Sequence, residues 1–233
     1  MDRCAMCAFR ELYAAQILLF PRISPISLPE TAAYSAGFQQ AMYDNLLKNI
    51  TRHVQLNDEE ITLFRTFWTE KQLRKGDYLL RNGEVCRYDN YVVAGALKAF
   101  YIHPQTGKDE ILFFSVDDWW ATDMDSFTRQ TPSIYNIQAL KDTTLLQIHH
   151  QAFDGMLTAI PRLERYFRTI LQTYLGAMQR RIIMANTFDA AYRYKDFLER
   201  YPSLPDKIPQ YLIASYLGIS PEFLSRLRKR KKY

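Results

Sequence analysis

The fold can be inferred first from a stretch near the end of the chain, which reads Pro209-Gln-Tyr-Leu-Ile-Ala-Ser-Tyr-Leu-Gly-Ile-Ser-Pro-Glu-Phe-Leu-Ser-Arg-Leu-Arg-Lys-Arg230. Apolar residues such as Leu212 and Leu217 recur at helical spacing, which predicts a first short helix. Gly218 can then adopt the left-handed backbone that closes a helix. Ser220 is a good N-cap, so a second short helix is predicted directly after it.

The spacing of this stretch is typical of a helix-turn-helix. Counted from Gln210, a small residue stands at the fifth place, glycine at the ninth, and apolar residues at the fifteenth and eighteenth. In that motif the second helix enters the DNA major groove and contacts bases. An ordinary helical hairpin with a solvated basic end, in which Glu222 and Arg226 only form an ion pair, is the alternative. The predicted base contacts are Glu222, Ser225 and Arg226, and the predicted phosphate contacts are Arg228, Lys229 and Arg230.

The positive charge of the chain is concentrated in the same region. The whole sequence has 30 Lys and Arg against 25 Asp and Glu, a net charge of +5. Residues 210–233 carry six basic residues against Glu222 alone, so they contain the whole surplus of five. A basic surplus beside a recognition helix favours nucleic-acid binding, although a solvated terminal charge run is the simpler interpretation.

The composition is that of a globular protein without a disulfide framework or a membrane span. The 233 residues are 48% hydrophobic and 24% charged, and 14% are aromatic, which favours strands somewhere in the chain. Three cysteines are an odd and small number for a disulfide framework. Since no apolar run approaches membrane-spanning length, we expect a cytoplasmic protein with no membrane partner.

The sequence offers little support for a metal site or for catalysis. Cys4 and Cys7 form a Cys-x-x-Cys pair that Cys86 could extend, but iron–sulfur and zinc sites usually need four ligands. The four histidines show no spacing with carboxylates or cysteines that indicates a metal. Glycine-rich phosphate loops, nucleophile elbows and triad spacings are not seen. We therefore predict no metal and no enzymatic activity.

The chain before the terminal motif changes pattern several times. Residues 1–41, broken by prolines, are predicted to be a loose N-terminal extension, and Met42 is a second candidate for the start of the protein. Residues 42–72 are predicted to hold two short helices, the second beginning near Asn57. The next region, residues 71–149, has short period-two runs separated by turns, which indicate an antiparallel β-roll or barrel. The predicted strands are residues 78–80, 88–94, 97–102, 110–115, 135–139 and 144–149.

From residue 151 the period becomes helical. Pro161 suits the first turn of a long helix that is predicted to extend to about Asn186. A long apolar seam can pair with its own copy in a dimer, and the alternative is that it only lies against the β-roll. Another helix is predicted over residues 190–201. The apolar seam contains Leu163, Phe167, Ile170, Leu171, Tyr174, Leu175, Met178 and Ile182.

The order of a β-roll, a long helix and a C-terminal helix-turn-helix resembles the Crp/Fnr family of bacterial transcription regulators. Two segments carry the resemblance, which covers about residues 42–233. Lys75-Gly-Asp-Tyr-Leu-Leu-Arg-Asn-Gly-Glu84 is similar to the opening of the family's sensor domain. Glu222-Phe-Leu-Ser-Arg226 is similar to the Fnr-type Glu-x-x-Ser-Arg recognition pattern. The resemblance implies an α+β fold with a cyclic-nucleotide-binding-like jelly roll.

The resemblance also implies a domain organisation and partners. Residues 42–150 would form the sensor domain, residues 151–186 the long dimerisation helix, and residues 187–233 the helix-turn-helix DNA-binding domain. A homodimer would bind a palindromic site in double-stranded DNA, and RNA polymerase is a candidate partner. A small-molecule effector held in the β-roll would reorient the two DNA-reading domains.

The sequence departs from the family where a cyclic nucleotide would bind. The family's cassette has a Gly-Glu pair that holds the ribose and an Arg, before Ser or Ala, that holds the phosphate. Residues 117–123 and 131–134 match this region and contain neither. Because a buried anion needs a charge partner or directed donors, we expect an unknown effector other than a cyclic nucleotide. The predicted pocket wall is Trp119, Trp120, Asp123, Asp125, Ser126, Phe127 and Ser133, for which core packing and loop capping are the alternative.

Two functions therefore remain open from the sequence. The first is a dimeric DNA-binding transcription regulator with a sensor domain. The second is a ligand-binding or partner-binding module of the same fold that does not read DNA. The second is motivated by the short stretch after the predicted recognition helix, where the β-wing common in the family is missing or replaced by residues 229–233.

Overall fold

The computed structural model describes residues 32–230, and side chains from Met42 to Lys229. The chain divides near residue 38, and all strands of the described residues lie in the compact unit that follows this point. Cys4 and Cys7 lie outside the described residues. Residues 32–41, predicted to be loose, already belong to the first helix, so the predicted boundary at Met42 falls within that helix.

Two helices precede the sheets. Helix α1 is Ala32–Thr51 and helix α2 is Asp58–Arg65. A capping box begins α2, because Asn57 accepts from the Glu60 amide while the Glu60 carboxylate accepts from the Asn57 amide. This confirms the helix start predicted at Asn57. Both helices predicted within residues 42–72 are present, and the last part of that region, Trp68–Leu73, is a strand.

Seven strands within the described residues form two antiparallel sheets. One sheet has the order β1-β7-β3, and the other has the order β2-β6-β4-β5. The predicted antiparallel β-roll is therefore confirmed. The strands are β1 (Trp68–Leu73), β2 (Tyr78–Leu80), β3 (Tyr88–Ala94), β4 (Ala96–Ile102), β5 (Asp109–Val116), β6 (Asn136–Ala139) and β7 (Thr143–His149).

The core of the roll comes from apolar residues that alternate along the strands. Leu97, Ile137 and Leu145 are fully buried in one cluster, as expected for the inner faces of a closed pair of sheets. At the turn between β3 and β4, Gly95 has a φ of +136° and lies directly against Thr143. No other residue type fits this close approach without strain.

Three helices pack on the roll after the strands β5 and β7. They are α3 (Met124–Arg129), α4 (His150–Ala159) and α5 (Arg162–Thr187). Helix α5 buries its first two turns through Leu163, Tyr166 and Phe167. Farther along, one side of the helix faces solvent and its apolar stripe is exposed, with Leu175 at 57% and Ile182 at 61%.

Four helices follow α5 and form the C-terminal part of the second unit. They share a core in which Phe197, Ile213 and Leu224 are buried. This core also includes Phe114 of β5, so the C-terminal part packs against the roll. The helices are α6 (Ala190–Arg200), α7 (Leu204–Lys207), α8 (Gln210–Tyr216) and α9 (Pro221–Arg230).

Candidate nucleic-acid interface and ligand cavity

The turn between α8 and α9 is closed by two backbone hydrogen bonds. The Ile219 amide donates to the Ala214 carbonyl at 3.0 Å, and the Gly218 amide donates to the Ser215 carbonyl at 3.0 Å. This is the Schellman arrangement, which requires a left-handed residue after the helix. Gly218 supplies it with a φ of +66°, as its place in the sequence predicts. The direction in which α9 leaves α8 is therefore fixed by the backbone.

The first turn of α9 is stabilised by local side chains. The Ser220 hydroxyl accepts from the Phe223 amide at 3.2 Å, which confirms the predicted N-cap. Hydrogen bonds from its own backbone amide and from the Ser220 hydroxyl lower the pKa of the Glu222 carboxyl. Glu222 is thus an anionic acceptor at neutral pH, of the kind that can accept from the amino group of cytosine.

The outer face of α9 presents the residues predicted to contact bases. Glu222, Ser225 and Arg226 are all exposed, and their spacing of three and four places them on one side of the helix. The Arg226 guanidinium lies 5.4 Å from the centre of the Phe223 ring. Arg228 and Lys229 are exposed as well, whereas the side chain of Arg230 lies outside the described residues.

The inner face of α9 packs on α8. Leu224 is only 1% exposed and lies in one cluster with Leu212 and Ala214. Leu227 is partly buried against the same cluster. Ala214 leaves room for the close crossing, because a larger side chain there would separate the helices. The structure therefore joins a buried apolar face and an exposed polar, basic face in one helix of ten residues.

The helix pair rests on strand β5 of the roll. The Ser215 hydroxyl donates to the Asp109 carbonyl at 3.0 Å. The Arg181 guanidinium of α5 donates to carbonyls of both β5 and α8, among them Ile111 at 2.7 Å. Lys207 Nζ lies 2.9 Å from Asp117 Oδ2, which follows β5. The position of α8 and α9 on the roll is thus set by polar contacts on several elements.

A large cavity lies between the roll and helices α3, α4 and α5. Its volume is about 930 Å³, which is within the range of small-molecule sites. Aromatic side chains supply much of its wall, and some of them contact each other edge to face, such as Phe153 and Phe167 at 4.8 Å. The aromatic lining residues are Phe113, Phe114, Trp119, Trp120, Phe127, Phe153, Phe167, Tyr174, Tyr201 and Tyr216.

The charged groups of this cavity are mostly acidic. Four carboxylates line it against the basic groups Arg168 and His150. Burial raises the pKa of Asp89 to about 6, although the Thr122 hydroxyl and the Asn90 amide both donate to it. The other lining carboxylates are Asp118, Asp154 and Glu164. An anionic ligand would therefore meet repulsion from most of the charged lining.

Three of the residues predicted to contact an effector line the cavity. They are Trp119, Trp120 and Phe127. Trp119 contacts the Tyr201 ring at 5.6 Å, so it also packs against the C-terminal helices. Trp120 donates through its indole nitrogen to the Tyr166 hydroxyl at 3.2 Å, which holds it in the core. Whether these residues also contact a ligand stays a prediction.

Asp123, Ser126 and Ser133 form a separate hydrogen-bonded group. The Asp123 carboxylate accepts from the Ser133 hydroxyl at 2.6 Å and from the Ser126 amide at 3.2 Å. The Ser126 hydroxyl accepts from the Cys86 amide at 2.9 Å. All three side chains are buried and lie outside the large cavity, and Asp125 is exposed. The structure does not bring them together with the two tryptophans at one pocket wall.

The acidic groups of the cavity are not predicted by the sequence pattern. Asp89 lies within strand β3, where no motif singles it out, and its burial depends on the packing of other elements. The same holds for Phe153, which α4 brings opposite Phe127 at 5.6 Å. The two adjacent polar residues Asp89 and Asn90 inside a strand are the available signal for this site.

The remaining candidate groups show no metal arrangement in the part of the chain that is described. There, no three His, Cys, Asp or Glu side chains are placed to hold a metal ion. The Cys86 thiol donates to the Tyr88 carbonyl, and burial raises its pKa to about 11. Among the helices of residues 32–230, none has the length and apolar character needed to cross a membrane.

Comparisons with known proteins agree with this architecture. Residues 70–159 match the family model described as a cyclic nucleotide-binding domain. Comparison with curated protein sequences gives no match. FixK2 from Bradyrhizobium japonicum is similar over 70% of this chain and 83% of its own, with a TM-score of 0.61 and 18% identity.

Two further solved structures are similar over most of their length. The c-di-GMP responsive global regulator CLP of Xanthomonas campestris has a TM-score of 0.60 and 15% identity, over 76% of this chain and 92% of its own. The catabolite activator protein of Thermus thermophilus has a TM-score of 0.50 and 17% identity, over 75% of this chain and 83% of its own. All three are Crp/Fnr transcription regulators. At these identities the likeness establishes the fold, and the predicted resemblance is confirmed at that level.

Proposed function

We propose that the chain, which has the fold of the Crp/Fnr regulators, is a dimeric DNA-binding transcription regulator whose roll senses a small molecule. The observation that carries the proposal is the exposed face of α9. It combines Glu222, Ser225 and Arg226 with flanking basic residues on a helix that a Schellman turn and an N-cap hold in place. Such a face can read base edges and hold phosphates at once.

Dimerisation is supported by the exposed stripe of α5. Leu171, Leu175 and Ile182 lie on one side of a helix of 26 residues and are each more than two-fifths exposed. Exposure of such an apolar stripe to water is unfavourable in a monomer, whereas a second copy of the helix could bury it. A two-fold dimer would place two α9 helices on a palindromic DNA site.

The effector is proposed to be a small molecule other than a cyclic nucleotide. The aromatic cavity beside α5 supports a sensor role, and its acidic lining disfavours a cyclic phosphate. Residues 131–134, which match the family's phosphate-holding segment, contain no arginine, and the Ser133 hydroxyl in that segment already donates to the Asp123 carboxylate. RNA polymerase remains a candidate partner of such a regulator.

Selection of fragments from random duplex DNA tests the proposal. The purified protein would be incubated with the library at physiological salt, with and without cyclic AMP. An enriched palindrome in both conditions would support a dimeric regulator whose sensor does not require the nucleotide. Enrichment only with cyclic AMP would contradict the effector proposal. If neither condition gives enrichment, the selection would be repeated with cell extract added as a source of the unknown effector. No enrichment there either would contradict sequence-specific binding.

Substitution of Arg226 separates base reading from general attraction to DNA. Arg226→Ala is expected to cost about 1–3 kcal/mol of binding free energy on the selected site and to relax its sequence preference. Lys229→Ala is the matched control, because loss of a phosphate contact weakens binding to all sequences alike. Fluorescence anisotropy with selected and scrambled duplexes measures both. Equal losses on the two duplexes for Arg226→Ala would contradict base reading by this residue.

A further inference from the structure

The turn between strands β4 and β5, residues 103–108, lies beside the helix pair α8 and α9. Ser215, in the last turn of α8, donates through its hydroxyl to the Asp109 carbonyl at 3.0 Å, and the same oxygen accepts from the amide two residues farther along β5 at 3.4 Å. These contacts hold the first part of β5 against the end of α8. Only residues 217–220 separate α8 from α9, so the first turn of α9 begins close to the same place. Lys108 directly precedes Asp109 and therefore lies at this junction.

Lys108 acts electrostatically on the first turn of α9. Hydrogen bonds from its own backbone amide and from the Ser220 hydroxyl are the largest causes of the lowered pKa of the Glu222 carboxyl. The positive charges of Arg226 and Lys108 add smaller contributions. Because exposed charges are screened within about 10 Å at ordinary ionic strength, an effect of Lys108 on Glu222 requires that the two side chains are neighbours. The packing of α8 on β5 brings them together from distant parts of the chain.

The positive charge of Lys108 is available to a partner. Its side chain is exposed and forms no ion pair with the described side chains of residues 42–229. The carboxylate of the next residue, Asp109, is already engaged, because Lys98 Nζ lies 2.5 Å from its Oδ2. The His103 amide donates to the Lys108 carbonyl at 2.9 Å, which holds the turn. The roll therefore presents a free positive charge, at a defined place, beside the end of α9 that is proposed to read bases.

A helix in the DNA major groove has phosphates close to its N-terminal end. A helix with its side chains is about 10–12 Å across, and the major groove is about 12 Å wide. The helix therefore fills the groove, and groups that flank its N-terminal end meet the phosphates of the groove walls. Lys108 flanks the N-terminal end of α9, on the side where α8 packs against β5. A lysine ammonium is a compact charge that binds phosphate without a strict geometry.

We propose that Lys108 binds a backbone phosphate of the DNA that α9 reads, so that the roll itself forms part of the DNA interface. This inference rests on the proposed function of α9. The DNA contacts predicted from the sequence all lie in residues 222–230, and Lys108 joins them only through the fold. The contact also makes DNA affinity depend on the packing of α8 against β5, because a separation of the two would withdraw the lysine from the phosphate.

The salt dependence of DNA binding tests the contact. Full-length wild type and Lys108→Met would be titrated with the selected duplex from about 50 to about 200 mM salt, with fluorescence anisotropy as the readout. Loss of one phosphate contact is expected to reduce the slope of log affinity against log salt by about 0.9, so the ratio of wild-type to variant affinity should be about threefold larger at the lowest salt than at the highest. Lys108→Arg keeps the charge and should bind as the wild type does. Lys71→Met, at an exposed position on the other sheet, is the control that removes equal charge and should leave the slope unchanged.

Neutral methylphosphonate linkages, placed one at a time in the selected duplex, identify the phosphate. One such linkage is expected to weaken binding by the wild type and to leave binding by Lys108→Met unchanged. An unchanged salt slope in Lys108→Met, or equal responses of the two proteins to every linkage, would overturn the proposal. Tighter binding by Lys108→Met would also contradict it, since the lysine would then hold Glu222 away from DNA. A wild type that selects no duplex would overturn the proposed function itself, whereas a selected site that ignores Lys108 would overturn only this contact.

Discussion

Asp89 is a carboxyl group whose burial has a measurable consequence. Its pKa of about 6 in the folded protein exceeds the ordinary value of an aspartate. The folded state therefore binds more protons than the unfolded state between roughly pH 4 and pH 6. The contribution of Asp89 to the free energy of unfolding is therefore most favourable below this pH window, and it decreases as the pH rises through the window. At neutral pH the folded protein carries the cost of an ionised buried carboxylate.

Asp89→Asn is expected to make the protein more stable at pH 7.5, by about 2 kcal/mol. An asparagine oxygen can still accept from the Thr122 hydroxyl and the Asn90 amide. The gain should vanish at about pH 4. Urea unfolding at both pH values measures it, with Asp125→Asn as the exposed control. A gain of equal size at both pH values would show that the carboxyl is not the cause.

Gly95 is a position where a single methyl group should be costly. An added Cβ would lie 2.3 Å from Thr143 Oγ1 and 2.6 Å from its Cβ, and the φ of +136° adds backbone strain. Gly95→Ala is therefore expected to lower the free energy of unfolding by about 2 kcal/mol or more. Gly155→Ala in helix α4 is the matched control, because an added Cβ there would have no atom within 4 Å. This substitution should raise the free energy of unfolding by about 0.5–1 kcal/mol. Chemical denaturation compares the two, and similar effects would contradict the contact with Thr143.

Residues with local roles could be predicted from the sequence, and residues with tertiary roles could not. The helix closure at Gly218 and the cap at Ser220 depend on neighbours within five positions, and both are confirmed. Asp123 is predicted to contact an effector, but whether its carboxylate is free depends on Ser133, ten residues later. Lys108 comes close to α9 only when α8 packs on β5.

The strands show the same division between features that depend on nearby residues and features that depend on tertiary contacts. The six predicted strands are present because alternation and turn residues mark them. Strand β1 was missed, since only its two ends are buried and its middle residues show no alternation. It is a strand because β7 pairs with it along its full length, from Trp68 opposite Ile148 to Leu73 opposite Thr143. That pairing joins residues about 70–80 positions apart and cannot be read from a local pattern.

The exposed stripe of α5 gives a prediction about assembly. Leu175→Glu places a charge in the middle of the stripe and is expected to convert the proposed dimer to a monomer, because the helix pair would have to bury an unpaired carboxylate. Thr173→Glu is the control, since two positions earlier lies about 160° around the helix. Sedimentation velocity measures the mass of each variant. A dimer that tolerates Leu175→Glu would place the interface elsewhere.

At the scale of the whole molecule, Asp117 connects the roll to the C-terminal helices. Its Oδ1 accepts from the Gly95 amide at 2.7 Å, and its Oδ2 accepts from Lys207 Nζ at 2.9 Å. Burial alone would raise the pKa of Asp117, but the hydrogen bond from Lys207 and the one from Gly95 together lower it. The ionised carboxylate therefore stabilises the folded state above the ordinary pKa of an aspartate.

The ion pair between Asp117 and Lys207 is expected to couple the two parts weakly. Asp117→Asn keeps an acceptor for the Gly95 amide but removes the charge, and Lys207→Met keeps the chain but removes the ammonium. Both groups are partly exposed, so a double-mutant cycle should give a coupling of about 0.5–1 kcal/mol at neutral pH. Because the folded pKa is lowered, the coupling should disappear as the pH falls through it. Chemical denaturation of the four proteins at neutral and acid pH measures the coupling. Strictly additive effects at neutral pH would mean that Arg181 and the Ser215 hydroxyl hold α8 on the roll without help from this pair.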